Sequence, residues 1–327
     1  MDRRMATATQ GSATKEPVPL TRDLVLIGGG HAHALVLRRW GMRPLPGARL
    51  TLIDPNPTAP YTGMLPGHVA GHYPREALEI DLVRLARFAG ARLVLGRAEG
   101  IDREARRIHV AGRPPLRYDV ASIDIGITSD LPSLPGFAAH AVPAKPLGRL
   151  ADRWEAFCAE AARGAPADVV VIGAGVAGVE LALAMHHRLT GLGAVPRIAL
   201  VEAGRALAGL PDRSRRVLRA RLAQAGIALH EDDAAAEVTA DAVRTASGRV
   251  LPARLAVGAA GARPHDWLGQ LGLAHENGFL TVDATLRSVT DRRLFAAGDC
   301  AHLGFAPRPK AGVYAVRAAP VLAHNLH

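Results

Sequence analysis

Cysteine is nearly absent, with Cys158 and Cys300 the only two among 327 residues. They stand too far apart in sequence for a C-x-x-C or C-x-x-x-x-C redox pair, and two are too few for a zinc site. Such sparing use predicts a reducing, cytoplasmic setting. Aromatic residues are also scarce, at 4% of the chain. The basic excess of 40 Lys and Arg over 30 Asp and Glu, a formal +10, therefore lacks the interleaved stacking side chains of a nucleic-acid surface. Nearly all of it is arginine scattered among alanines, which argues against a nucleic-acid partner. No run of eighteen apolar residues occurs, so no transmembrane segment is predicted and any membrane contact is peripheral. There is no H-E-x-x-H. His68 and His72, at i and i+4, have no third ligand nearby, so no metal site is expected.

Residues 1–22 mix Thr, Ser, Gly and Pro without periodicity or an apolar signal core, and read as a flexible leader. The apolar run Leu24–Ile27 then ends in Gly28-Gly29-Gly30-His31-Ala32-His33, and helical spacing follows to Trp40. Arg49–Ile53 is a second strand, closed by Asp54, 26 residues beyond Gly28. Between Pro60 and Tyr73 the chain is dense in Gly, Pro and His, so no regular element is predicted there, only a loop able to line a ligand. Leu78, Leu82, Leu85 and Phe88 mark an amphipathic core helix. From Arg92 to Ile125, short runs broken by Gly96, Gly100 and Gly112 suggest a strand and a β-meander ending at Gly126.

The pattern then repeats. A helix over Leu147–Arg163 and a strand over Asp168–Ile172 lead to Gly173-Ala174-Gly175-Val176-Ala177-Gly178, placed 145 residues after the first loop. A helix to Leu189 and a strand over Arg197–Val201 follow, and Glu202 closes the strand 29 residues beyond Gly173. Pro211 starts another helix that Gly226 stops, short strands fill Ile227–Val257, and the run Gly258–Pro264, containing Gly261, breaks the pattern. Near the end, an apolar strand delivers Gly298-Asp299-Cys300, and a Pro-rich turn leads through Lys310 into a last helix.

The residue types at these spacings suit nucleotide binding. The first glycine of such a loop permits a tight turn, and the second lets the backbone approach a pyrophosphate. Its charge is then met by amides and the positive end of the following helix. An acid ending the next strand can accept hydrogen bonds from ribose hydroxyls and repels a 2′-phosphate, so Glu202 favours NADH over NADPH, with Arg205 weakening that preference. The second loop satisfies G-x-G-x-x-G in full; the first has His33 in place of the third glycine, which also leaves open a glycine-rich turn of another kind.

Taken together, these segments resemble the pyridine nucleotide-disulfide oxidoreductase superfamily of flavoproteins, and within it the type II NADH dehydrogenase-like branch. More narrowly, Gly28–His33 with Tyr61-Thr62-Gly63-Met64-Leu65-Pro66-Gly67 is similar to the oxidoreductase domain that some bacteria fuse to selenide, water dikinase. The resemblance implies an α/β fold of two Rossmann-like domains, the second inserted into the first. Residues 23–142 and 258–327 would hold FAD, and residues 143–257 NAD(P)H. It implies FAD on Gly28, Gly30 and Asp54, with Asp299 of the Gly-Asp motif, and NADH on Gly173, Gly175, Gly178 and Glu202; His31, His33, Gly126, Gly261 and Gly298 are further expected cofactor contacts. Glu180 matches a position near the nicotinamide, and Lys310, ahead of the last helix, one that offsets charge at the flavin. Hydride transfer needs no general base, so these two are positioners.

Two departures shape the expected activity. Relatives that reduce dithiols carry a cysteine pair soon after the first unit, yet Asp54–Tyr73 contains none. Relatives also continue beyond the position of His327 into a domain that supports dimerisation, membrane contact and often a quinone site. The leading expectation is an FAD-dependent NADH dehydrogenase passing electrons to a quinone or another small acceptor, with a homodimer left open. The alternatives are a slow FAD- and NADH-binding module serving a partner protein, a sulfide:quinone oxidoreductase-like enzyme, and a flavin-free dinucleotide-binding protein.

Overall fold

The structure is a computed structural model that describes residues 19–129 and 131–327. Residues 1–18 of the expected leader lie outside that range, and its last residue is not leader at all. Arg22 opens β1 (Arg22–Ile27), where it pairs with Ala48. The loop Gly28–Gly30 and α1 (His31–Met42) follow, then β2 (Ala48–Asp54). Leu24–Ile27, Leu50, Leu52 and Ile53 are all buried. A parallel strand covered on both faces carries apolar side chains at every position, which is why these runs do not alternate.

The stretch predicted to be irregular is partly helical, with a 3-10 turn at Thr62–Met64 running into the one-turn α2 (Leu65–Val69). Pro66 lies at the start of α2, where its missing N–H is not needed, and the Trp154 indole N–H donates to the Val69 carbonyl at 3.0 Å. The amphipathic helix is shorter than predicted. Asp81 accepts the Arg84 N–H at 2.8 Å and caps α3 (Leu82–Phe88), so Leu78 belongs to the turn before it. Phe88 is 55% exposed, resting on Gly41 of α1 instead of entering the core. β3 (Arg92–Leu95), the expected meander and β4 (Val120–Ile123) complete this pass.

The second pass comprises β5 (Ala141–Pro143), α4 (Leu147–Ala162), β6 (Ala167–Ile172), α5 (Val176–Gly191), β7 (Pro196–Val201), α6 (Asp212–Gln224), β8 (Ala228–His230) and, after an antiparallel meander, β9 (Leu255–Gly258). The chain returns through β10 (Leu294–Ala296) to α7 (Gly312–Leu326).

Two five-stranded sheets result, parallel at every pairing, in the orders β10-β4-β1-β2-β3 and β5-β9-β6-β7-β8. Each places its glycine loop after the central strand and its acid after a neighbour. That position, outside the carboxyl ends of a parallel sheet where strand order reverses, is where α/β folds bind nucleotides. Because β10 joins the first sheet after the second is complete, the second unit is inserted into the first. Ala141 pairs with Ala256, so the second sheet begins upstream of the boundary expected at residues 142 and 143. One core gathers β1, β2 and β4 with Trp40 of α1 and Leu322 of α7. Another gathers Trp154 and Phe157 of α4 with Val169, Val171 and Leu200. Each fully buried branched side chain there contributes roughly 1.5–3 kcal/mol.

Candidate functional site

The two loops share a pair of equivalent hydrogen bonds. Gly28 and Gly173 adopt φ of +89° and +106°, a region costly for any residue with a Cβ. Their N–H groups donate to Ile53 and Val201 at 2.8 and 2.7 Å, tying each turn to the acid-bearing strand. The next N–H in each loop reaches the acid itself: Gly29 donates to Asp54 Oδ2 at 2.7 Å, and Ala174 to Glu202 Oε2 at 2.8 Å. Both carboxylates are thereby latched to the rim of their loop. Burial raises the Asp54 pKa, opposed by the N–H groups of Asn56 and Gly29.

Beside the second loop lies a cavity of about 290 Å³ lined by Gly173, Glu202, Ala203, Leu131, Leu134 and the alanines 234–236, among others. Among the described residues no lysine or arginine lines it. Arg205 is exposed, and its charge acts on Glu231. A Cβ on Gly175 would meet open space, whereas one on Gly178 would sit 1.9 Å from the Gly173 carbonyl oxygen. The second glycine thus leaves room for a ligand, and the third lets α5 press against its own loop. A larger groove of about 420 Å³ on the outer face of α1, lined by Leu35, Arg38, Arg39, Met42 and Arg43, contains no loop residue.

The first loop departs from its twin at two places. His33, which the sequence reading sets among the cofactor contacts, is 0% exposed. Its Nδ1 bonds the Gly28 carbonyl at 2.6 Å and its Nε2 the Ser122 hydroxyl at 2.8 Å, so the ring stitches α1 to β1 and β4 and cannot touch a ligand. Burial pushes its pKa down to about 4, so the ring is neutral. The imidazole takes the structural place of the third glycine without blocking the loop's open face.

Asp124, after β4, is the second departure. It is 3% exposed, and its Oδ2 accepts the His33 N–H at 2.8 Å. A Cβ on Gly30 would lie 2.5 Å from both its oxygens, and one on Gly298 2.3 Å from Oδ1. Burial lifts its pKa to about 7, against the lowering pull of the His33 and Ala32 N–H groups, and Asp299 adds to the rise.

Above this point five segments converge. Asp299 is paired with Lys145 at 2.7 Å across 154 residues of sequence. His31 opens α1 with its ring edge-on to Tyr61, the centroids 4.8 Å apart, and its buried Nε2 has no hydrogen-bond partner. Desolvation lowers the His31 pKa; Asp299 opposes the shift and Lys145 adds to it. A Cβ on Gly312, the first residue of α7, would lie 3.3 Å from that ring and 3.4 Å from Thr62 Oγ1. An orphaned ring nitrogen, an ion pair and a helix start crowding one face fit the polar middle of a flavin nucleotide.

The remaining predicted residues are spread around this centre. Gly126 and Gly261 are exposed on the two crossover segments, which Thr128 and Arg263 join by reciprocal backbone hydrogen bonds at 3.0 and 2.9 Å. Glu180 is exposed on α5, and partial desolvation raises its carboxyl pKa. Lys310 is committed elsewhere: its ammonium donates to the Ala301 carbonyl and lies 4.1 Å from the centre of the Phe279 ring. Sequence reasoning missed Asp124, Ser122 and Lys145. The rule that found Asp54 and Glu202, an acid closing an apolar strand, would have found Asp124 as well. Among the described residues no group of three or more His, Cys, Asp or Glu is placed to hold a metal, and no helix is long and apolar enough to cross a membrane.

Comparison with known proteins agrees with this architecture. An NADH dehydrogenase-like protein of Mycobacterium tuberculosis is 30% identical over 223 residues, covering 65% of this chain and 56% of its own length. The chain therefore spans little more than half of that relative. The NADH dehydrogenase-like protein YutJ of Bacillus subtilis is 25% identical over 308 residues, covering 88% of this chain and 78% of its own. Among solved structures, the water-forming NADH oxidase of Lactobacillus brevis bound to NADH has the same fold at a TM-score of 0.78 and 20% identity, covering 94% of this chain and 69% of that one. The profile of one family runs from residue 22 to residue 319, through both loops, both acids and the Gly-Asp turn; this chain belongs to the pyridine nucleotide-disulphide oxidoreductases.

Proposed function

We propose that the first loop seats FAD and the second NADH, and that the protein is an FAD-dependent NADH dehydrogenase delivering electrons to a quinone or another small acceptor. The observation that carries this reading is the duplicated latch, a strand-end carboxylate hydrogen-bonded to a glycine-loop amide in both halves at 2.7 and 2.8 Å. It fixes each acid where ribose hydroxyls arrive. The Lactobacillus oxidase binds NADH, and both relatives have NADH dehydrogenase-like names, which supports the same nucleotide here.

When bound, a flavin supplies the two-electron centre that takes hydride from a nicotinamide. The chain supplies position. Glu202 and the alanine-lined cavity take the adenosine end of NADH, with no cation to receive a 2′-phosphate. Asp54 and the Asp299–Lys145 pair orient FAD, and Glu180, exposed on α5, is assigned to the nicotinamide end. Lys310 keeps a role as a fixed charge two residues ahead of α7, not as a group in contact with the ring. A sulfur-carrying mechanism finds no support: Cys158 and Cys300 are both buried, with thiol pKa values pushed up to about 11 and about 12, chiefly by desolvation.

The test is direct. The purified protein should be yellow, or become so on reconstitution with FAD, and should bleach anaerobically on titration with NADH. Steady NADH oxidation with menadione in excess separates an enzyme from a slow redox module. A protein that takes up no flavin contradicts the reading.

Glu202→Ala should raise the NADH KM about tenfold or more, the loss of one charge-assisted hydrogen bond, while NADPH is affected less. An unchanged NADH-to-NADPH ratio of kcat/KM would remove Glu202 from this role.

A further inference from the structure

The chain contains its own control for the first loop. Asp124 N–H donates to Ile27 at 2.9 Å, and Ala259 N–H donates to Ile172 at 2.8 Å, so the two residues occupy the same position in the two units. In the second unit that position is a methyl group, and the space beside Gly175 is open. In the first it is a carboxyl filling the space beside Gly30, the glycine that lets a backbone approach a pyrophosphate. The same carboxyl accepts the His33 N–H at the start of α1, a donor that otherwise serves an anion.

An ionised carboxylate here would face a pyrophosphate of like charge inside the protein, where such repulsion is little screened. Among the described residues no cation is set against it. On α1 the titratable groups at this end are the neutral His33 and His31, whose lowered pKa Asp299 opposes and Lys145 reinforces. From the turn after β10 come Cys300, a buried thiol, and Asp299, another acid. Lys145 is engaged by Asp299, and Lys310 by the Ala301 carbonyl.

We propose that Asp124 belongs to the first nucleotide site as a neutral acid, donating a hydrogen bond to the FAD pyrophosphate, so that flavin binding takes up one proton. The proposal rests on the first loop seating FAD. It assigns a function to the acid that stands where the second unit has Ala259, and it makes flavin retention weaken as pH rises. The anion and the proton arrive together, and the site carries less negative charge than the two anions alone would bring.

The experiment is titration of flavin-stripped protein with FAD from pH 5.5 to 8.5, followed by flavin fluorescence and by calorimetry in buffers of different ionisation enthalpy. For the wild type, the FAD Kd should rise about tenfold per pH unit above about pH 7, and proton uptake on binding should grow from near zero at pH 6 to about one at pH 8. Asp124→Asn keeps the acceptor for the His33 N–H and removes the titration, so its FAD Kd should be flat across the range. Its NADH affinity, measured as a check on folding, should equal that of the wild type. A wild-type pH profile parallel to that of Asp124→Asn, or no proton uptake by the wild type at pH 8, overturns the proposal and leaves the FAD assignment intact. The calorimetric result needs no variant. Failure of the wild type and of Asp124→Asn to bind FAD at any pH overturns the FAD assignment, and this proposal with it.

Discussion

Gly178→Ala should destabilise the protein by about 3 kcal/mol, toward the upper end of overpacking costs, and abolish NADH binding. The added methyl would stand 1.9 Å from the Gly173 carbonyl oxygen and 3.0 Å from its carbon, both backbone atoms of the loop that α5 leaves. No side chain can swing aside to make room, so the helix must lift off β6 and take its N-terminal amides with it. Denaturant unfolding measures the first effect and NADH fluorescence titration the second. Gly175→Ala is the matched control. Its methyl meets nothing within 4 Å, so the variant should unfold like the wild type yet bind NADH more weakly if the second loop seats the nucleotide as proposed. If Gly178→Ala were as stable as the wild type, the close helix-to-loop approach would be wrong.

The second large effect is expected at His33. His33→Ala empties a fully packed site and leaves the Gly28 carbonyl and the Ser122 hydroxyl without their partner, a combined loss of about 2–4 kcal/mol. The loss should vary with pH in a known direction. A histidine held neutral, with its pKa lowered to about 4, contributes stability that is fully present above its unfolded value of 6.5 and is lost as pH falls toward 4. Asp124 has the opposite sign. Its pKa is raised to about 7, so its contribution is complete below about pH 4 and is lost as pH rises through 7. The two slopes oppose each other in the wild type between about pH 4 and 6.5. Removing His33 leaves only the Asp124 slope, and the variant should be more stable at pH 5 than at pH 7. Asp124→Asn should show the reverse. Unfolding free energies at the two pH values decide the matter, and parallel curves for all three proteins would mean that neither group is buried in the state described.

Much of this architecture was legible because its signals are local. Gly28 and Gly173 need positive φ, the strands before them are apolar without alternation, and Asp54 and Glu202 close the next strands; each of these is written within about thirty residues. The return of the chain to its first sheet followed from the order of the motifs. The helix in the Gly- and Pro-rich stretch did not. Its lone turn is too short to declare itself by periodicity and is held by contacts such as the one from Trp154, 85 residues away. Phe88 was misjudged for a related reason: apolar spacing identifies a face but not what covers it.

By itself, the sequence determined the fold class, the two glycine loops, the acids that close the strands after them and the absence of a closely spaced cysteine pair, because glycine conformation, strand composition and cysteine count act within a few residues. Only the tertiary structure decided that His33 turns inward, that Asp124 fills the space under Gly30, that Lys145 answers Asp299, and that Lys310 is spent on the Ala301 carbonyl. Those are pairings between segments distant along the chain. A charge or ring inside a protein takes its protonation and its role from whichever partner packing brings within about 3 Å.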